Sequence, residues 1–326
     1  MNLGGTIHLN KSGICVLLVI SLILFLYSIS NGTRGNETVK PKKINLGKLL
    51  KVAIKTAESG GKKVASAKNL VVKNKGLTKE GLADRVTSAD LASHCAMSES
   101  IKYFFPSVRV ISEEADNICE EDPSLLSDLK KFSPQSPVDE FVEEGDVTVW
   151  IDPLDATYEF TAKMYTFVTT MVCVAVKGKP VIGVIHKPFS GSTSWAWVDK
   201  AKSVDLNTVL EKSSSKSYLN VIISLSHKGE IEKVLNNTFH DKVHIISAPG
   251  AGYKVLEVAT GKCDTYLHIT AIKKWDICAG NAIIDSLGGK MTTKSGQMID
   301  YLGNEVKNDD GVIASIRHHD LFVNKL

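Results

Sequence analysis

The distribution of apolar residues divides the chain into a short apolar segment near the N-terminus and a long body. The stretch from residue 14 to residue 29, ICVLLVISLILFLYSI, contains no charged side chain. A run of about 17 such residues is at the short end for a membrane-spanning helix. It is long for the apolar region of a signal peptide, and no A-x-A cleavage site follows it. We therefore expect an uncleaved signal-anchor transmembrane helix at residues 14–30, with a cleaved signal peptide as the alternative.

The sequence on either side of this segment bears on its orientation. Residues 1–13 would form a short cytoplasmic tail, and the polar residues 31–43 would form a linker. The flanking charges are a poor guide, because the C-terminal flank is the more basic one. Glycosylation sequons at Asn31, Asn36 and Asn236 favour a lumenal or extracellular body, although sequons also arise by chance. The expected topology is a single-pass type II membrane protein with a lumenal body.

The body, residues 44–326, alternates between patterns typical of helices and of strands. Between residues 44 and 69, apolar residues recur at helical spacing. Between residues 167 and 188, two apolar strands flank a turn at 178–180, which predicts a hairpin. Strands that alternate with helices, together with a long hairpin, predict an α/β (α+β) fold of stacked helical and sheet layers. Further strands are predicted at 108–112, 148–152, 194–198, 220–224, 243–247, 265–269, 290–293 and 311–315, and further helices at 88–104, 229–237, 253–260, 276–286 and the C-terminus.

Two segments depart from this alternation. Residues 71–85, VVKNKGLTKEGLADR, are basic and contain glycine, which predicts a loop. Residues 115–146 are strongly acidic and contain three prolines, which predicts an acidic surface insertion. A solvated acidic face with no function is the alternative interpretation of this insertion.

Composition limits the possible functions. The chain is 43% hydrophobic and 23% charged, which is typical of a globular protein with a sizeable core. A net charge of +3, carried by scattered basic residues, is too small to indicate a nucleic-acid partner. Six cysteines are present and none forms a C-x-x-C pair, so a zinc ribbon or a thioredoxin-like site is not expected. No disulfide pairing can be inferred from this count.

The sharpest chemical feature is the segment WIDPLDAT at residues 150–157. A predicted strand delivers Asp152 to its C-terminal end, where Pro153 has no N–H to continue the ladder, and Asp155 follows. Two carboxylates this close repel each other unless a cation lies between them. Such oxygen ligands suit Mg²⁺, and the carbonyl of Leu154 would add another. An Asp-Pro turn with a capping Asp is the alternative.

Two further acidic clusters strengthen the metal hypothesis. Glu113 follows the strand predicted at 108–112, and Asp276 stands at the start of a predicted helix, where a simple N-cap is the alternative. Strand and helix ends are the places where α/β proteins build their sites. Asp90, in the segment T-S-A-D, would orient Thr157 or a water. The sequence therefore predicts a Mg²⁺ site formed by Glu113, Asp152, Asp155 and Asp276.

Four motifs in this order resemble the inositol monophosphatase superfamily. They are T-S-A-D at 87–90, S-E-E at 112–114, D-P-L-D-A-T at 152–157 and W-D-I-C-A-G at 275–280. The resemblance extends over roughly residues 45–325. It implies a layered α-β-α-β-α sandwich and a Li⁺-sensitive, Mg²⁺-dependent phosphatase that uses two or three Mg²⁺ ions. It also implies metal ligation by Glu113, Asp152, the Leu154 carbonyl, Asp155 and Asp276, and activation of the attacking water by Asp90 and Thr157.

Within the superfamily, the chain is similar to the Golgi branch that acts on 3′-phosphoadenosine 5′-phosphate. Segments that carry this similarity include WIDPLDATYEFT, GVIHKPFS, GAGYKVL and IKKWDICAGNAI. The similarity implies hydrolysis of the 3′-phosphate to give AMP and phosphate, which clears a by-product of sulfation, by a catalytic domain in the Golgi lumen. It further implies contacts to the AMP part from Ser224, His227, Gly250 and Lys254.

Two positions depart from the wider superfamily, and two other functions stay open. Ser112 and Ala156 stand where glycine is usual, and we expect activity because alanine is tolerated if its φ is negative. The first alternative function is an inositol phosphate or sugar phosphatase with the same metals. The second is a catalytically inactive lumenal scaffold. The expected partners are a small nucleotide and, through the N-terminal helix, a membrane; no nucleic acid is expected, and the sequence does not reveal the oligomeric state.

Overall fold

The computed structural model describes residues 11–32, 42–68, 70–77, 83–115, 118–136, 138–207, 218–226 and 229–326. They belong to two compact units, Met1–Pro41 and Lys42–Leu326. In the first unit, helix α1 (Lys11–Gly32) carries the apolar run. Over the described residues, no helix is both long enough and apolar enough to span a membrane. The transmembrane helix expected at 14–30 is therefore not confirmed, and most of the predicted tail and linker lies outside the described residues.

The second unit contains two large mixed sheets. Its strands are β1 (Lys43–Asn45), β2 (Val72–Leu77), β3 (Ala83–Thr87), β4 (Arg109–Ser112), β5 (Phe141–Glu143), β6 (Val147–Asp155), β7 (Thr169–Val176), β8 (Lys179–Lys187), β9 (Ser192–Trp197), β10 (Ala201–Lys202), β11 (Leu219–Ser224), β12 (Val243–Ala248), β13 (Thr265–His268), β14 (Ile272–Lys273), β15 (Lys290–Thr292), β16 (Lys307–Asn308) and β17 (Val312–Ser315). The larger sheet has the order β10-β9-β8-β7-β6-β4, and the smaller has the order β12-β11-β13-β17-β15. In the larger sheet, β4 runs parallel to β6 and the other pairs are antiparallel.

Helices cover the faces of both sheets. They are α2 (Leu46–Ser66), α3 (Ser88–Phe104), α4 (Pro123–Lys131), α5 (Thr157–Thr161), α6 (Ile231–Phe239), α7 (Ala251–Ala259), α8 (Lys274–Ser286) and α9 (His319–Val323). Helix α2 has a wide apolar face, and Asn45 caps it by accepting a 3.0 Å hydrogen bond from the Lys48 N–H.

The alternation of side chains along β7 shows how the layers are arranged. Val172 and Val174 pack with α2 and α3, whereas Met171 and Cys173 pack with α7 and α8 on the opposite face. Helices α7 and α8 also contact the smaller sheet, and α6 and α9 cover the outer face of that sheet. The described residues therefore form the expected α-β-α-β-α sandwich. The close approach of α8 depends on Gly183 in β8, because a Cβ there would lie 2.1 Å from the Ala279 carbonyl oxygen.

Two local predictions were wrong in detail. Residues 72–77 and 83–85, in the segment predicted as a loop, belong to the paired strands β2 and β3, with a register shift between Asn74 and Gly76. The hairpin predicted at 167–188 is confirmed, but β8 already begins at Lys179, so the turn lies one residue earlier. The segment 115–146, predicted as an acidic surface insertion, contains α4 and β5.

Two disulfide bonds join described residues in the second unit. Cys95 on α3 is bonded to Cys119, and Cys173 on β7 is bonded to Cys278 on α8. The partners are 24 and 105 residues apart in sequence. Such pairings depend on tertiary structure, which explains why the cysteine count alone did not reveal them.

Candidate active site

The carboxyl ends of β4 and β6 bring the first two predicted ligands together. The strands are parallel, with Ser112 opposite Ile151, and the Glu113 N–H donates a 3.3 Å hydrogen bond to the Ile151 carbonyl. Glu113 and Asp152 therefore leave neighbouring strands at the same edge of the sheet, as expected for a site in an α/β protein.

Strand β6 does not end at Asp152, contrary to the prediction. It continues to Asp155, and its pairing with β7 shifts register between Asp152 and Asp155. Pro153, which has no N–H for the ladder, lies in this bulge. The bulge brings both Asp152 and Asp155, with the Leu154 carbonyl between them, to the lining of one cavity.

Ala156 has a left-handed backbone, with φ 68° and ψ 48°. The expectation that its φ would be negative was therefore wrong. This conformation reverses the chain directly after Asp155 and starts α5 at Thr157. Glycine adopts it without the steric cost that a Cβ adds, which explains why glycine is usual at this position.

Asp155 is held by the start of α7 and by β7. Its carboxylate accepts hydrogen bonds from the N–H groups of Ala251 (3.1 Å) and Gly252 (2.8 Å) and from the Thr169 hydroxyl (3.1 Å). The Gly-rich turn before α7 thus presents its amides to Asp155. A Cβ on Gly250, whose φ is 71°, would lie 2.9 Å from the Phe167 carbonyl oxygen.

The predicted pair Asp90 and Thr157 is in direct contact. The Thr157 hydroxyl lies 2.9 Å from Asp90 Oδ1 and 3.1 Å from the Leu154 carbonyl oxygen, both of which act as acceptors. Asp90 is almost completely buried, and its other oxygen accepts hydrogen bonds from the Thr87 N–H and hydroxyl at 2.7 and 2.6 Å. Thr87 is the N-cap of α3. Burial raises the pKa of Asp90, while these hydrogen bonds oppose the rise.

Asp276 comes from a different layer. The helix was predicted to start at Asp276, but α8 begins at Lys274, so Asp276 is its third residue and the alternative of a simple N-cap is wrong. Its side chain accepts a 3.3 Å hydrogen bond from the Lys273 N–H, which satisfies one backbone donor at the start of the helix. The predicted role of Asp276 at the cavity is compatible with this position, since it lines the same cavity as Asp152 and Asp155.

Burial and mutual repulsion act on these carboxyl groups. Burial raises the pKa of Glu113 to about 7, with nearby Glu114 acting in the same direction and Lys75 opposing it. Burial also raises the pKa of Asp152 and of Asp276 well above the usual range, and both groups are further affected by Glu113 and Asp155. Negative groups that raise one another's pKa in this way favour a bound cation.

A lysine provides a positive charge at this edge. The Nζ atom of Lys75, on β2, lies 3.2 Å from Glu113 Oε1 and also forms an ion pair with Glu114. Within the described ranges, no three His, Cys, Asp or Glu side chains are already arranged to hold a metal ion. The carboxylates instead bind lysine or backbone N–H groups, such as the Leu154 N–H on Asp152 at 3.1 Å. The donor set itself, four carboxylates and a carbonyl on one cavity, fits hard cations such as Mg²⁺.

The cavity has a volume of about 590 Å³ and contains charges of both signs. The predicted substrate contacts Ser224, Gly250 and Lys254 all line it, whereas His227 lies outside the described residues. Lys254 is only 3% exposed, and its Nζ donates a 2.7 Å hydrogen bond to the Gly250 carbonyl. Burial lowers the pKa of Lys254 to about 8, although the charges of Asp155 and Asp276 oppose this.

Sequence reasoning missed several residues that line the cavity. Arg85 lies in the segment predicted as a loop, and its guanidinium lies 4.6 Å from the ring centre of Tyr158. Lys273 and Lys307 are cross-strand partners on β14 and β16. A pair of two-residue strands leaves no recognisable pattern in a sequence, so these lysines had no signal beyond their charge.

Comparisons with known proteins identify the family of the chain. The model of the inositol monophosphatase family matches residues 45–326. "Inositol monophosphatase 3" of Xenopus tropicalis is 46% identical over 308 residues, covering 90% of this chain and 82% of the relative. The "Golgi-resident adenosine 3′,5′-bisphosphate 3′-phosphatase" of Rattus norvegicus is 43% identical over 298 residues, covering 87% of this chain and 82% of the relative.

A similar fold occurs in a solved structure. The inositol monophosphatase of Anabaena (Nostoc) superposes with a TM-score of 0.62 at 18% identity, over 86% of this chain and 95% of that chain. The family match covers the whole body with its candidate ligands, and the relatives cover most of the chain. The chain therefore belongs to the inositol monophosphatase family.

Proposed function

We propose that this protein is a Mg²⁺-dependent phosphatase that removes the 3′-phosphate from 3′-phosphoadenosine 5′-phosphate and gives AMP and phosphate. The relative from Rattus norvegicus, whose name states a 3′-phosphatase activity on an adenosine 3′,5′-bisphosphate, supports this substrate.

The observation that carries the proposal is the distribution of charge in the 590 Å³ cavity. Five carboxylates line it, the four candidate metal ligands and Glu159, together with the basic residues Arg85, Lys273 and Lys307. A cavity of this volume suits a nucleotide-sized ligand. A metal-bound phosphate next to the carboxylates would leave the basic residues for a second phosphate, which a bisphosphate has and an inositol monophosphate lacks.

An inositol phosphate remains the second candidate substrate. It is favoured by the Xenopus tropicalis relative, whose name is inositol monophosphatase 3 and whose identity of 46% is slightly higher than that of the rat protein. The carboxylates alone do not separate the two substrates, because both reactions hydrolyse a phosphate monoester.

The metal-binding side of the proposal uses the residues at the strand ends. Glu113, Asp152, the Leu154 carbonyl, Asp155 and Asp276 would hold Mg²⁺, which supplies charge neutralisation of the phosphate and a water of lowered pKa. In the reaction, a new bond forms between the water oxygen and phosphorus, and the bond between phosphorus and the 3′-oxygen breaks. The leaving 3′-oxygen takes up a proton and becomes the hydroxyl of AMP.

Thr157 and Asp90 would orient the attacking water. The Thr157 hydroxyl donates to Asp90 Oδ1, so its oxygen lone pairs remain to accept a hydrogen bond from a water. Asp90 is fixed by the capping box of α3, and Thr157 is fixed by the start of α5. This pair therefore provides a preorganised acceptor, which is what a water-positioning group needs.

The nucleotide would extend from the carboxylates through the rest of the cavity. Ser224, at the end of β11, and Gly250, before α7, line the cavity and are proposed contacts of the AMP part together with His227. Lys254 is a proposed contact of the 5′-phosphate from the sequence. Its ammonium is turned toward the Gly250 carbonyl, so balancing the charge of Asp155 is its competing role.

For localisation, we propose a body in the Golgi lumen. The rat relative is named Golgi-resident, and the bonds Cys95–Cys119 and Cys173–Cys278 suit an oxidising compartment. Asn236 of the third sequon is exposed on α6. The type II membrane anchor is proposed from the sequence alone. Protease protection in sealed microsomes tests this topology, because digestion of the body without permeabilisation would contradict it.

Phosphate release from three substrates tests the proposed activity. The ratio kcat/KM, measured with Mg²⁺, should be highest for 3′-phosphoadenosine 5′-phosphate, lower for 3′-AMP and lowest for inositol 1-phosphate. A preference for inositol 1-phosphate would select the second candidate. No hydrolysis of any of the three by folded protein would favour the inactive scaffold.

A further inference from the structure

The Cys173–Cys278 disulfide joins two elements that carry or adjoin the candidate metal ligands. Cys278 follows Asp276 by two residues on α8, a rise of about 3 Å along the helix. On β7, Cys173 is two residues from Met171, which is the strand partner of Asp152. The bond therefore connects the helix that carries Asp276 to the strand adjacent to the one that carries Asp152 and Asp155.

Asp276 depends on this connection more than the other carboxylates do. Glu113, Asp152 and Asp155 leave adjacent strands of one sheet, so the backbone ladder fixes their separation. Asp276 belongs to a helix in the next layer, which contacts the sheet through apolar packing of residues such as Ile277 and Ala279. No hydrogen-bond ladder holds a helix against a sheet.

A metal ion binds these groups as charged carboxylates. In that charged state Asp276 is repelled by the ligands on the sheet, and the repulsion acts against the packing of α8 until a cation lies between them. Both sulfurs are buried, as Cys173 is 1% exposed and Cys278 is 0% exposed, so the bond acts inside the layer where the two elements meet.

We infer that the Cys173–Cys278 disulfide is a positioning element that holds Asp276 near Asp152 and Asp155 before a metal ion binds. The inference rests on the proposed metal site, but it does not depend on which phosphate ester is the substrate. The protein with the bond has a preorganised ligand set. The protein without it must draw α8 back against repulsion, and that cost appears as weaker metal binding.

The chain offers a matched control. The Cys95–Cys119 bond ties α3 to the segment before α4, and neither of these elements carries a candidate metal ligand. The test variant is Cys173→Val with Cys278→Ala, which places a β-branched residue in the strand and a strong helix former in the helix. The control variant is Cys95→Ala with Cys119→Ala. Neither pair introduces a polar group, so no unpaired hydroxyl is buried.

Mn²⁺ binding, followed by electron paramagnetic resonance of the free ion without substrate, is the decisive measurement. We expect the test variant to bind Mn²⁺ about 10–100-fold more weakly, the range typical for the loss of groups that orient metal ligands. The control variant should bind Mn²⁺ like the native protein. Thermal unfolding should show that both variants are less stable, so a stability effect alone does not separate them.

Three results would overturn the inference. The first is native Mn²⁺ affinity in the test variant. The second is an equal loss in both variants, which would indicate general loosening of the fold. The third is a failure to fold. If the test variant and a second variant, Cys173→Ala/Cys278→Ala, both lack native circular dichroism while the control variant folds, the bond is a requirement for folding. Since no substrate is present, a wrong substrate assignment would leave the Mn²⁺ result unchanged.

Discussion

Replacing Ala156 with glycine should stabilise the protein relative to a matched replacement elsewhere. Ala156 has a φ of 68°, and its Cβ therefore carries the steric cost of the left-handed region, about 1–2 kcal/mol. Ala162, six residues later, has a φ of −86° and no such cost. Both replacements remove one methyl group and add the extra chain entropy of glycine, about 0.5–1 kcal/mol. These shared effects cancel in the comparison, so Ala156→Gly should be more stable than Ala162→Gly by about 1–2 kcal/mol.

Thermal unfolding of the two variants provides the assay. For a domain of this size the difference corresponds to a Tm higher by roughly 2–8 °C in Ala156→Gly. Hydrolytic activity should be retained, because the hydrogen bonds of Asp155 and Thr157 do not use the Ala156 side chain. Equal melting temperatures in the two variants, or a lower one for Ala156→Gly, would refute the strained conformation at Ala156.

Three further substitutions test other parts of the account. Asp155→Asn should reduce hydrolysis to background because the amide removes a ligand charge, while the circular dichroism of the variant stays native. Near-native turnover with an unchanged Mg²⁺ requirement would exclude Asp155 as a ligand. If Lys254 binds the 5′-phosphate, Lys254→Ala should weaken the binding of 3′-phosphoadenosine 5′-phosphate about tenfold more than the binding of 3′-AMP. Equal losses, accompanied by a higher Mg²⁺ requirement, would assign it to charge balance at Asp155. Asp285 has a pKa raised to about 7 by burial and by Asp199, so the folded state binds its proton more tightly than the unfolded state. Native protein should therefore lose up to about 4 kcal/mol of stability as the pH rises from 4 to 7. The variant Asp285→Asn should not show this loss. Identical pH profiles for the unfolding of the native protein and the variant would contradict the assignment.

The sequence predicted the position of the carboxylates because their spacing follows simple rules of sheet geometry. Glu113 and Asp152 each follow an apolar strand, and the ends of parallel strands meet at one edge. The layered fold followed from the alternation of strand and helix patterns, and the packing of α7 and α8 between two sheets agrees with it. Such features depend on local periodicity, which a single sequence records.

Other features depend on contacts between distant residues. Gly250 was predicted to contact the AMP part of a substrate, and nothing in the sequence indicated that the next two N–H groups, of Ala251 and Gly252, bind Asp155, which lies 96 and 97 residues earlier. The segment that contains the paired strands β2 and β3 was predicted as a loop because it has no apolar alternation, and Lys75 on β2 reaches Glu113 only after folding. The φ of Ala156 and the pairing of Cys173 with Cys278 are also set by tertiary structure, so local pattern could not determine them.

The most direct measurement of the central claim is ³¹P nuclear magnetic resonance of 3′-phosphoadenosine 5′-phosphate during incubation with the protein. With Mg²⁺ present, the 3′-phosphate signal should disappear and a signal of inorganic phosphate should appear. The 5′-phosphate signal should remain, as that of AMP. Chelation of Mg²⁺ should stop the reaction, because the carboxylates around Asp152 then lack the cation that binds the phosphate. Loss of the 5′-phosphate, or a stable bisphosphate in a sample that hydrolyses inositol 1-phosphate, would contradict the account.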